Sequence, residues 1–295
     1  MPRFLSRLAL ACCLIGSAHA TPETEISFSI VKTARVAVAE ALLVPGGSFS
    51  KQIDSNFSAF LIQHGKDTLL LDTGMGSQIA AQYQQDMPLW WRPFFKYEGP
   101  VRPVRQQLQE AGMALPGLVV LSHSHWDHAS GIQDFPDARV AVATAELAAI
   151  RQPSNGPGGT WASQIATSGI RWETLDFQPR SHRGYASSLD LFGDGSVVLV
   201  PMPGHTPGSV GLFLRVSSGR EFFFVGDVAW TTAAIQAGAP KFWAASLLVD
   251  GHARQVLDSV AHVRDLMKRW PEMVVVPAHD SAVQDKLGYF PRWIR

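Results

Sequence analysis

Residues 121–131, LSHSHWDHASG, place three histidines and one aspartate within six positions, His123 to His128, directly behind an apolar run. His123 and His125 are two apart, so in extended backbone their side chains leave on the same side. Asp127 and His128 follow a turn's worth of chain later and reach a second point close by. A lone His-x-His is most often a polar surface turn, because short motifs recur by chance. Three further stretches argue against that reading here. The apolar runs VVLVPMPG, FFFVG and MVVVPA lead into His205, Asp227 and His279, as LVVLS leads into His123. Four buried-strand candidates thus each deliver a metal-binding side chain at a C-terminal end, where sites assemble in open sheet architectures. Imidazole and carboxylate donors without sulfur suit zinc, and manganese or iron would also accept them. One ion cannot use seven such groups. Three histidines for one ion, two histidines and an aspartate for another, and a shared carboxylate is the economical division.

Positioning these residues requires a sheet scaffold, and the rest of the chain supplies one. ISFSIVKT (26–33) and RVAVAEALLV (35–44) read as strands, and FSAFLIQ and DTLLLD flank His64-Gly65-Lys66 as a hairpin. Helical patterns follow at 76–85, at 104–111 behind Pro103, at 145–151 with Thr144 as its N-cap, at 161–167 and at 252–270. The last shows Val256, Val260, Val263 and Met267 on one face. QPSNGPGG (152–159) reads as a flexible loop. Strands and helices interleave along the whole chain with no convincing linker, so the expectation is a single α/β domain with layered sheets.

Composition narrows the partners. Lys plus Arg equals Asp plus Glu at 25 each, with no run of like charge. That argues against a nucleic-acid footprint or a polybasic membrane patch and favours small molecules. The first twenty residues read separately, as a secretory leader. Arg3 and Arg7 precede the apolar stretch 8–15, and Ala18-His19-Ala20 ends in the small-x-small pattern cut by signal peptidase. The stretch is too short for a membrane span. Cleavage after Ala20 would leave a mature chain, 21–295, in the periplasm or outside the cell. Both cysteines, Cys12 and Cys13, would leave with the leader, and with two arginines and no acid lost the net charge would go from 0 to −2. Such a chain holds no disulfide and no thiolate ligand.

HSHWDH (123–128), GHTPGS (204–209), GD (226–227) and AH (278–279) resemble the successive metal motifs of the metallo-β-lactamase superfamily, and LLLDTGMG (69–76) resembles its early strand-turn motif. The match runs in the family's order over residues 57–280. The resemblance implies a four-layer αββα sandwich with a dinuclear centre, usually zinc. Carried over residue by residue, His123, His125 and His205 would hold the first ion, Asp127, His128 and His279 the second, and Asp227 would bridge them. Asp72 would stand behind the ligand loop; capping the Thr73-Gly74 turn is its plain alternative. Asp227 is informative. True β-lactamases of this superfamily lack a bridging aspartate at this motif, whereas glyoxalase II, acyl-homoserine lactonases, methyl parathion hydrolases and phosphodiesterase-like members carry one.

The reaction so implied is hydrolysis by a hydroxide held between two ions, with Asp127 orienting the nucleophile or passing a proton and Asp227 bridging. A hydrophobic ester is the favoured substrate, a lactone of the acyl-homoserine type first. Phosphotriester hydrolysis, β-lactamase activity and a non-catalytic metal-binding role are the alternatives. Two features bear on the substrate. MPLWWRPFFKY (87–97) concentrates Trp90, Trp91, Phe94, Phe95 and Tyr97, too many large apolar groups for solvated surface. They read as a lid or acyl-chain wall, or else as a loop tucked into the core or a contact within a homodimer. All of these would bury the tryptophans. The second is Trp230, at a position where acyl-homoserine lactonases commonly have a tyrosine. Its indole offers only an N–H donor, so it is expected to shape a pocket rather than perform chemistry.

Overall fold

A computed structural model describes residues 24–152, 158–166 and 168–295. The leader expected at 1–20 lies outside these residues, as does most of the loop expected at 152–159.

The first sheet contains β1 (Ile26–Ala39), β2 (Gln52–His64), β3 (Asp67–Leu71), β4 (Leu118–Val120), β5 (Arg139–Ala143) and β6 (Arg171–Leu175), side by side in chain order. β1, β2 and β3 pair antiparallel and the rest parallel. The second sheet contains β7 (Leu189–Asp190), β8 (Val197–Pro201), β9 (Val210–Arg215), β10 (Glu221–Phe224) and β11 (Val274–Val276), in the order β11-β10-β9-β8-β7. Only its β10–β11 pair is parallel. The helices are α1 (Glu40–Leu43), α2 (Ile79–Asp86), α3 (Val104–Glu110), α4 (Trp126–Ala129), α5 (Thr144–Ile150), α6 (Ala162–Ile165), α7 (Thr232–Ala237), α8 (Trp243–Val249), α9 (Ala253–Arg269) and α10 (Ser281–Leu287).

Strand alternation explains how two sheets and two helical layers stack. In β8, Val197 and Leu199 face the opposite sheet while Val198 and Val200 face outward to helices; in β10, Phe222 and Phe224 face in and Phe223 out. The layer between the sheets gathers Phe28, Phe60, Leu71, Val120, Leu212 and Phe224. One outer layer packs Val256, Val260, Val263 and Leu266 of α9 onto the second sheet. The other packs Val104 and Leu108 of α3 and Ile150 of α5 onto Leu61, Leu70 and Val119 of the first sheet. This is the expected αββα sandwich, in one domain. Side chains of this size contribute roughly 1.5–3 kcal/mol each on full burial, so every layer is held mainly by apolar area.

Three local expectations need correction. The strands expected at 26–33 and 35–44 are a single β1 that crosses a register shift between Lys32 and Ala34 and ends at Ala39. The bulge frees Thr33, whose hydroxyl donates to the Phe57 carbonyl (2.8 Å) and accepts from the Met75 amide (2.9 Å). Glu40 then turns the chain into α1, where its carboxylate holds Lys51 (2.6 Å) and the Ser48 amide (3.1 Å). Lastly, Thr144 is the first residue of α5, not its cap; the cap position falls on Ala143, the last residue of β5.

Candidate metal centre

All seven expected donors meet at one edge of the sandwich. β4 ends three residues before His123, β8 four before His205, β10 three before Asp227 and β11 three before His279. The loop after β4 runs into α4, with His125 at its N-cap, so that Asp127 sits in the first turn, where an acid suits the helix dipole. Ligand atoms of His123, His125 and His205 lie within 4.8 Å of one another, as do those of Asp127, His128 and His279, and those of His123, His128 and Asp227. Asp227 stands between the two triads, with Oδ1 3.3 Å from His128 Nε2 and 3.2 Å from His279 Nε2, and Oδ2 3.7 Å from His205 Nε2. Asp127 Oδ2 is 3.3 Å from His279 Nε2.

The backs of the imidazoles are fixed. Asp72 accepts from the Ser122 amide (2.7 Å), the Ser122 hydroxyl (2.8 Å) and His128 Nδ1 (2.8 Å). It is buried at φ 58°, a left-handed conformation that costs a non-glycine residue about 1–3 kcal/mol, offset here by three hydrogen bonds. The structure thus places Asp72 directly on a candidate ligand. His279 Nδ1 lies 2.8 Å from the Asn56 carbonyl, and His205 Nδ1 2.7 Å from Asp250 Oδ1.

The donors fit divalent cations on two grounds. Among the described residues His128 Nε2 and Asp227 Oδ1 are buried and complete no hydrogen bond, a costly state for polar atoms that a shared cation would relieve. The electrostatics point the same way. Burial, then neighbouring imidazoles, hold His123 and His125 well below the usual histidine value, so this triad offers neutral ligands. In the other triad burial opposes charge on His279, yet Asp227 and Asp127 outweigh it and raise that histidine to about 10. His128 is raised well above its ordinary value by Asp72, Asp127 and Asp227 against the same opposition. Asp227 is held well below the carboxylate range by His279 and His128 despite burial. The cluster attracts positive charge, and metal would replace those protons.

A cavity of about 380 Å³ opens onto this cluster, within the usual size of a small-molecule site. Its floor is His125, Asp127, His205, Asp227 and His279; its walls include Val36, Phe57, Phe94, Phe95, Phe242 and Leu248. Trp230 is on the wall and also donates from Nε1 to Asp227 Oδ2 at 2.8 Å. It therefore does more than shape the pocket. Loop 87–97 splits in two. Phe94 and Phe95 reach the cavity, while Trp90 and Trp91 do not. The expectation that both tryptophans are buried fails: Trp90 is 73% exposed, and Trp91, half-buried, packs on Phe94 and Phe95. Pro88 starts a 3-10 turn at Leu89–Trp91 that sends the two indoles in different directions. Tyr97 packs edge-on against Tyr83 instead of entering the cavity.

Sequence reasoning passed over three buried charged residues here. Glu146 in α5 accepts from the Ser124 amide (2.7 Å), the Ser124 hydroxyl (2.6 Å), the Thr206 hydroxyl (2.6 Å) and the Gly208 amide (3.1 Å). It ties the loop carrying His123 and His125 to the loop carrying His205. Asp250 and Lys241 form a buried pair (2.7 Å) behind His205. An acid in the first turn of a helix is what any helix favours, so nothing in sequence marks Glu146.

Comparisons with known proteins point to one family. The metallo-β-lactamase superfamily profile matches residues 56–279. A probable metallo-hydrolase of Mycobacterium tuberculosis is 33% identical over 195 residues, covering 59% of each chain. The N-acyl homoserine lactonase AttM of Azorhizobium caulinodans is 27% identical over 178 residues, 58% of this chain and 64% of its own. The chain thus spans about three-fifths of the length of the curated relatives it matches. Among solved structures, a B. thuringiensis AiiA variant with N-decanoyl-L-homoserine bound superposes at a TM-score of 0.69 with 16% identity, covering 92% of this chain and all of that one. The dizinc lactonase AidC superposes at 0.56 with 17% identity, over 87% of this chain and 88% of its own. With the profile spanning three-quarters of the chain and its motifs at one sheet edge, the protein belongs to the metallo-β-lactamase superfamily.

Proposed function

We propose that the protein is an exported dinuclear-metal hydrolase of hydrophobic esters, with an acyl-substituted lactone as its leading substrate. The carrying observation is the apolar cavity whose floor is the His/Asp cluster itself. Two divalent cations, zinc by the nitrogen and oxygen donor set, would supply Lewis acidity and a hydroxide near neutral pH. The chain's own residues do the rest. Val36, Phe57, Phe94 and Phe95 take the acyl chain and keep bulk water from the floor. Trp230 holds Asp227 Oδ2, fixing the carboxylate between the triads. Asp127, at the floor and within reach of His279, is placed to accept a proton and return it to the departing alcohol. The lactonases among the relatives and structural neighbours support the choice of ester.

The test is rate against acyl length. Protein stripped of metal and then reloaded is assayed on lactones from short to long acyl chain, beside a phosphotriester, a β-lactam and an acyl thioester. Metal-dependent turnover that rises with acyl length is expected. Turnover of no lactone or ester refutes the reading, and preference for the phosphotriester transfers the site to phosphoryl chemistry. Intact-mass measurement of exported protein checks that residues 1–20 are removed.

A further inference from the structure

Helix α8 is held in an unusual way. None of its residues is buried, and among the described residues it joins none of the apolar clusters of the core. Even so, Ala244, Ala245, Leu248 and Val249 line the cavity. A seven-residue helix without core contacts is not stable alone, so something else must anchor it.

The anchor is its C-terminal end. The Asp250 side chain is wholly inaccessible. One carboxylate oxygen accepts from Ser246 of the helix (2.7 Å). The other lies 2.7 Å from Lys241 Nζ and 2.7 Å from His205 Nδ1. The next two amides continue the join: Gly251 N donates to the His205 carbonyl (2.9 Å) and His252 N to the Gly204 carbonyl (2.8 Å). Residues 250–252 therefore fasten the cavity wall to the loop of one candidate ligand.

We infer that Asp250 is a positioning residue for His205. By accepting at Nδ1 it fixes the tautomer, leaves Nε2 free to face a cation and sets the ring's orientation. Lys241 completes the device. A buried carboxylate facing only a neutral imidazole would be an uncompensated charge; the ammonium group balances it, so His205 can stay neutral and still be oriented. The same carboxylate holds Ser246, so the substrate wall and the first triad share one support. This inference rests on the metal-site reading above.

The test is metal binding itself, readable whether or not any ester is cleaved. Chelator competition and the visible spectrum of the cobalt-loaded protein are compared for Asp250→Ala, Asp250→Asn and Ser246→Ala. Asp250→Ala is expected to weaken one of two metal equivalents by about 10–100-fold and to alter the cobalt spectrum, with the other equivalent unchanged. Asp250→Asn, which keeps an acceptor for Nδ1, should retain more of that affinity. Ser246→Ala should leave both metal affinities as in the parent while raising KM for long-acyl esters. If Asp250→Ala does not fold, Lys241→Met and Asp250→Asn carry the same comparison. Two equivalents bound at parental affinity, or an equal loss at both sites, would overturn the assignment.

Discussion

Replacing Glu146 by alanine is the sharpest test of how the centre is built. The substitution removes one acceptor group from four donors, but the donors are not equally dependent on it. The Ser124 hydroxyl keeps Thr160 Oγ1 at 2.6 Å and the Thr206 hydroxyl keeps Ser209 Oγ at 2.8 Å. Among the described residues the amides of Ser124 and Gly208 have no other partner. Two buried N–H groups left unsatisfied at about 1–3 kcal/mol each give a loss of roughly 2–6 kcal/mol, a large part of a typical stability of about 5–15 kcal/mol. In a chain of this size each kcal/mol moves Tm by about 2–4 °C, so a fall on the order of 10 °C is expected. Because the two freed amides flank His123, His125 and His205, metal content should fall for the first triad before the second. Thermal unfolding and elemental analysis of the purified variant measure both. Unchanged Tm together with full metal content would show that the two loops do not depend on Glu146.

Three further outcomes are expected. Trp230→Phe removes the hydrogen bond to Asp227 Oδ2 and should lower kcat/KM by about tenfold or more, from roughly 1.5–3 kcal/mol for a bond to a charged group, with the cavity's apolar wall kept; steady-state kinetics on one lactone suffices. Phe95→Ala should flatten the dependence of rate on acyl length, whereas Trp90→Ser, at a residue off the cavity wall, should leave it as it is; the reverse pattern would mean that the acyl chain lies elsewhere. Zinc added at pH 7 to metal-free protein in unbuffered solution should release protons. His279 is raised to about 10 and His128 well above its usual value, so both carry protons at that pH that metal must displace, and affinity should climb as pH rises. A pH electrode reads this, and metal uptake without proton release would contradict it.

The candidate ligands were legible because each follows a short apolar strand whose signal is strong, and because the C-terminal edge of a sheet concentrates such residues. The layered fold was legible for the same reason: period-two alternation and the amphipathic α9 announce which faces are buried. What escaped was set by tertiary contact. Glu146, Lys241 and Asp250 look like ordinary charged residues on or beside short helices, and only folding brings them behind candidate ligands far away in the chain. β1 was divided because a bulge at Thr33 interrupts the alternation that reveals a strand, while pairing with β2 continues across it. Loop 87–97 misled because composition counts aromatic rings without giving their directions, and Pro88 sends Trp90 outward while Phe94 and Phe95 face the cavity.

Each candidate triad draws two donors from the segment that follows β4 in the first sheet, the loop for one and α4 for the other, and one from the second sheet: His205 after β8 and His279 after β11 respectively. A cation bound to either is thus a crosslink between sheets. His123 and His205 are 82 residues apart, and His128 and His279 enclose a longer loop still. Closing loops of such length in the folded state alone is the service a disulfide performs in many secreted proteins, by narrowing the unfolded ensemble. The only cysteines of this chain are Cys12 and Cys13. Loaded with metal, the centre would act as the reversible clasp of a domain with no covalent one, and a chelator would then act on it as a reductant acts on a disulfide-bonded protein.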